Sequence, residues 1–120
     1  MAKAKIMVLD DNQDFSETLR AFLVRNGYEV VLAQDGIEGL EVAQNEKPAL
    51  ILVDIKMPRM DGYTFIREFK KKRDSVGVHV VVLTSYEPMK EMFELEGIRD
   101  YFVKTVELES LLQKIEQKLG

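Results

Sequence analysis

Residues Ala49-Leu50-Ile51-Leu52-Val53 are apolar at every position, and residues 78–83 are nearly so. A strand with one wet face alternates polar and apolar side chains, whereas a run without alternation suits a strand covered on both faces. Helix layers on either side of a parallel sheet supply that cover, and parallel strands need long crossovers to bring the chain back. The intervening sequence has the pattern for such crossovers. Phe15, Leu19, Phe22 and Leu23 recur at i, i+4, i+7 and i+8, the stripe of an amphipathic helix. Asn26-Gly27 stops it, since both residues tolerate left-handed backbone. A second helix follows Asp35-Gly36, with Ile37, Leu40 and Ala43 inward and Pro48 beyond its end. Asp61-Gly62 opens a third, with Phe65, Ile66 and Phe69 inward. A short fourth helix is expected over 88–95, started by Pro88 and ended by Gly97, and a last one over 106–119. Leu108, Leu111, Leu112, Ile115 and Leu119 form the stripe of that last helix.

With strands at 5–9, 29–33, 49–53, 78–83 and 101–103, the pattern predicts an α/β fold. It is a (βα)5 doubly wound, parallel five-stranded sheet of order 2-1-3-4-5, flavodoxin-like, forming a single domain over residues 1–120. The chain of 120 residues is long enough for one real core. It contains no cysteine, which excludes disulfides, thiol catalysis and zinc–cysteine sites. No apolar run approaches the ~18 residues of a membrane span, and the first residues are not a secretory signal, so a cytoplasmic location is expected. A formal net charge of -4 argues against direct nucleic-acid binding as the main function. The basic run Lys70-Lys71-Lys72-Arg73 falls where the third helix should end, where cations suit the helix dipole.

Four of the five strands end in chemistry. Asp10-Asp11 follow the first, Asp54 the third, Thr84-Ser85 the fourth and Lys104 the fifth. Ligands of open parallel sheets bind beyond the carboxyl ends of the strands, where strand order reverses. In the order 2-1-3-4-5, strands one and three are neighbours at that point, which brings Asp10-Asp11 beside Asp54. At about 5 Å and an effective dielectric of about 20, each carboxylate pair repels by roughly 3 kcal/mol. A hard divalent cation such as Mg²⁺ removes that cost and suits an all-oxygen ligand set. Lys104 adds a compact charge for a phosphoryl group and Thr84 a hydroxyl donor. A carboxylate in such a setting is a nucleophile for phosphorus.

The segments Val8-Leu9-Asp10-Asp11-Asn12, Leu52-Val53-Asp54-Ile55-Lys56-Met57-Pro58-Arg59-Met60-Asp61-Gly62, Leu83-Thr84-Ser85 and Tyr101-Phe102-Val103-Lys104 occur in that order. Over essentially its full length the chain resembles the CheY-like receiver domain of two-component response regulators. The resemblance implies that Asp54 is the phosphoacceptor. It implies Mg²⁺ held by Asp11, Asp54 and the Lys56 carbonyl, with Asp10 acting through water. Lys104, Thr84 and the N–H groups of Lys56 and Ser85 would hold the phosphoryl oxygens. Thr84 and Tyr101 would form the switch that alters the surface of the fourth helix, fifth strand and last helix. The implied partners are a histidine kinase or phosphotransfer protein and a downstream output protein or domain. The chain is then not an enzyme with a separate substrate, although it promotes its own phosphorylation and dephosphorylation. It acts either alone or as part of a longer regulator.

One position departs from the family pattern, and two others are variable within it. Thr105 stands where receivers usually carry a proline after the lysine, so a trans Lys104–Thr105 bond is expected. Lys56 and Tyr86 flank the phosphate position, and their bulk is expected to screen water and prolong the phosphoryl state. Other classes fit less well. An aspartyl-phosphate phosphatase needs a second aspartate where Lys56 stands. A flavin mononucleotide carrier needs a hydroxyl- and glycine-rich loop where Asp10-Asp11 stand. Gly36 and Gly39 do not make a dinucleotide fingerprint, and His79, near the start of its strand, lies far from the site. A pseudo-receiver, serving only as a binding module, would not need the intact acidic set.

Overall fold

The computed structural model describes residues 3–84, 101–104 and 107–120. Its strands are β1 (Lys5–Leu9), β2 (Glu29–Ala33), β3 (Leu50–Val53), β4 (His79–Thr84) and β5 (Tyr101–Val103). All pair in parallel in the order β2-β1-β3-β4-β5. Helices α1 (Gln13–Arg25), α2 (Gly36–Glu46), α3 (Gly62–Lys70) and a C-terminal helix (Leu108–Leu119) cover the two faces.

The unbroken apolar strands follow from this layering. Successive side chains of a strand point to opposite faces, and here each face meets a core. Met7, Leu9, Ile51 and Val53 pack with Phe65, Ile66 and Phe69 of α3 and Ala43 of α2. Ile6, Val8, Leu50 and Leu52 point the other way, onto Leu19 and Leu23 of α1 and Leu111 and Ile115 of the C-terminal helix. The Phe65 and Phe69 rings, one helical turn apart, stack with centroids 5.6 Å apart.

Polar punctuation sets the helix ends. Asn12, Asp35 and Asp61 each accept a backbone N–H from the first turn of α1, α2 and α3 in turn, satisfying donors that have no intrahelical partner. Asn26 and Gly27, the latter at φ 97°, end α1. Arg67 and Lys70 lie in the last turn of α3, so the basic run does sit at the negative end of a helix.

One inward position is corrected. Ile37 is 45% exposed, and the buried face of α2 is Gly36, Gly39 and Ala43. At ~100° per residue, Ile37 is turned well away from that face. Gly39 occupies the contact because a Cβ there would press on the Leu9 and Phe65 side chains. β3, β4 and the C-terminal helix begin one or two residues later than expected. The expected fourth helix, Ser85, Tyr86 and the Lys104–Thr105 bond lie outside the described residues.

Candidate functional site

The parallel register aligns Leu9 with Val53, so the next residues, Asp10 and Asp54, leave neighbouring strands side by side. The backbone ladder continues one step past the strands: Asp54 N–H donates to the Leu9 carbonyl at 2.8 Å, and Asp10 N–H to the Ala33 carbonyl at 3.0 Å. Both carboxylates are therefore carried on backbone held by the sheet. Asp10 and Asp54 are buried and Asp11 is exposed. The three residues can each offer an oxygen such that all lie within 4.8 Å of one another.

From β5, Lys104 reaches across the sheet edge. Its Nζ lies 2.7 Å from Asp10 Oδ2 and 3.5 Å from Asp54 Oδ2. The face of the Phe15 ring, on α1, is 4.8 Å from the same nitrogen. Asp10 Oδ1 accepts the Asn12 N–H at 2.9 Å. Asp10 Oδ2 is buried and, among the described residues, meets the Lys104 ammonium as an ion pair without a hydrogen bond of good direction. One ammonium thus balances part of a crowded negative charge. Burial first, and the Asp10 charge second, push the Asp54 carboxyl up to about 6, against the lowering effect of Lys104.

The loop after β3 is pressed into place by a glycine. A Cβ at Gly62 would overlap the Asp54 carbonyl oxygen, and Gly62 N–H donates to the Ile55 carbonyl at 2.8 Å. Only a residue without a side chain lets α3 begin this close to the acidic residue. Lys56 follows at the exposed mouth of the site. The Thr84 backbone ends β4 opposite Val103, which places that residue at the same sheet edge; its side chain and Ser85 are outside the described set. Tyr101 is half-buried and packs against the core layer containing Met7 and Val53. His79 begins β4, at the opposite edge.

The geometry thus brings together Asp10, Asp11, Asp54 and Lys104. The donors fit Mg²⁺: they are oxygens, they converge, and among the described residues Asp10 Oδ2 has no well-directed hydrogen bond. Sequence reasoning read Phe15 only as part of an apolar stripe and did not foresee its ring against Lys104. The contact joins residues far apart in the chain, and no local signal marks it.

A five-stranded parallel sheet of this order with paired acids and a lysine at its switch point defines a phosphoryl-signalling class of domain. Residues 6–116 match the response regulator receiver domain, and the chain belongs to that family. It is 33% identical over 119 residues to protein PilH of Pseudomonas aeruginosa, covering 98% of each chain. It is 37% identical over 113 residues to the response regulator MprA of a Mycobacterium species, covering 92% of this chain and 48% of that protein. The CheY-like receiver domain protein of Methanospirillum hungatei superposes with a TM-score of 0.89 at 32% identity, covering 96% of this chain and 92% of that one.

Proposed function

We propose that Asp54 is the phosphoacceptor of this receiver domain and that its phosphorylation is Mg²⁺-dependent. The observation that carries this reading is the convergence of Asp10, Asp11 and Lys104 on Asp54. A carboxylate oxygen of Asp54 forms the new bond to phosphorus as the bond from phosphorus to the donor breaks, and the bonding electrons leave with the donor. Asp54 attacks as the carboxylate, the form that prevails above about pH 6. Lys104 swings from its ion contacts to the incoming phosphoryl oxygens, while Thr84 and the Lys56 and Ser85 N–H groups hold the others. Asp11, Asp54 and the Lys56 carbonyl would hold Mg²⁺, with Asp10 acting through water. Bound Mg²⁺ supplies positive charge that offsets the carboxylates and the phosphoryl oxygens.

The donor is proposed to be a histidine kinase or a phosphotransfer protein, and the chain has no substrate besides its own side chain. Thr84 and Tyr101 relay the new charge to the outer surface around β5, where an output protein or domain binds. The unit is read as a single domain over residues 1–120, working in the cytoplasm, the typical setting of the receiver family. No described helix is long and apolar enough to cross a membrane. The chain spans about half the length of the MprA relatives and nearly all of PilH, and a second reading takes it as the receiver part of a longer regulator. Incubation with acetyl phosphate and Mg²⁺ should add the mass of one phosphate in a base-labile linkage, and Asp54→Ala should abolish it. A label that persists on that variant overturns the assignment.

A further inference from the structure

Arg59 adopts a backbone conformation that a side chain normally avoids, with φ 64°. In that conformation its guanidinium turns back onto α2. Nε and Nη2 donate to Asp35 Oδ2 at 3.0 and 2.6 Å. Asp35 is buried, and its other oxygen accepts the Glu38 N–H at 2.9 Å, so the same carboxylate caps α2 and grips the loop. Next to it, Gly36 N–H donates to the Met60 carbonyl at 3.0 Å, and a Cβ at Gly36 would lie 2.7 Å from that oxygen. The far end of the loop is fixed by Gly62 against Asp54 and Ile55. Between these anchors runs Lys56, the residue whose main chain the proposed function assigns to the cation and the phosphoryl group.

We infer that Arg59 is a positioning residue: its ion pair with Asp35 braces the β3–α3 loop against the start of α2 and so sets where the Lys56 carbonyl points. The inference rests on the phosphoacceptor reading. A two-donor guanidinium on one oxygen of a mostly buried carboxylate fixes both distance and direction, and Arg59 bears a strained φ to reach it. A loop tethered by Gly36 and Gly62 alone keeps its path but not the orientation of the peptide group between them.

The test is a Mg²⁺ titration of the unphosphorylated chain, read from backbone amide NMR shifts at Asp54 and Lys56, with metal-free melting as the control. Arg59→Gly suits the positive φ and removes only the side chain; Asp35→Asn keeps the cap acceptor and removes the charge. Each should raise the Mg²⁺ dissociation constant by about fivefold or more, to the same extent as the double variant, while the metal-free melting temperature changes little. A parent that binds Mg²⁺ and an Arg59→Gly variant that binds it within twofold overturn the brace alone. Full additivity in the double variant, or loss of melting temperature in proportion to the loss of affinity, does the same. A parent whose amides ignore Mg²⁺ overturns the phosphoacceptor reading and the brace with it.

Discussion

Asp54 is the residue at which environment and chemistry meet. Its folded-state carboxyl is raised from 3.8 to about 6, so the metal-free folded chain holds a proton more tightly than the unfolded chain does. Stability from this group is therefore greatest below pH 3.8, falls as the pH rises to about 6, and is level above that. Asp54→Asn should remove that fall, which a comparison of urea midpoints of parent and variant across this window, without Mg²⁺, will read directly. Gly62 makes a complementary prediction. Gly62→Ala forces a Cβ into the Asp54 carbonyl and should cost about 1–3 kcal/mol, measured by denaturant unfolding. Asp10, Asp54 and Lys104 could be found in the sequence because they end separate strands of one parallel sheet, whose order brings those ends together. Arg59 could not. Its partner is 24 residues away, and a positive φ is not written in an arginine.

At the scale of elements, the strands were legible because β3 and β4 are covered on both faces and read as continuous apolar runs. The starts of α2 and α3 were legible because Asp35 and Asp61 have side chains that compete for first-turn N–H groups, whereas the Asn12 cap of α1 was not read from the sequence. Asp61→Ala should therefore cost about 1 kcal/mol through loss of the α3 cap, whose hydrogen bond to Thr64 N–H is 2.7 Å, as urea unfolding would show. Ile37 shows where periodicity fails. Three glycines or alanines, Gly36, Gly39 and Ala43, make the contact face of α2, and a pattern search for large apolar residues passes over them. What determines that face is how closely Met60, Leu9 and Phe65 approach, a tertiary fact with no local mark.

For the whole molecule, the sheet converts sequence order into a pocket: acids from β1 and β3 and a lysine from β5 meet only because the strand order places β3 between β1 and β4. A ligand that binds this pocket only in the folded chain must stabilise the entire fold. Mg²⁺ at 100 times its dissociation constant should add about 2.7 kcal/mol, seen as a raised melting temperature, and Asp11→Ala should sharply reduce that gain. The most direct test of the account is to locate the phosphoryl group. After acetyl phosphate and Mg²⁺, borohydride reduction converts a phosphorylated aspartate to homoserine, which peptide mass spectrometry assigns to a position. The account predicts homoserine at position 54 alone; homoserine at position 10 or 11, or at no aspartate, would contradict it.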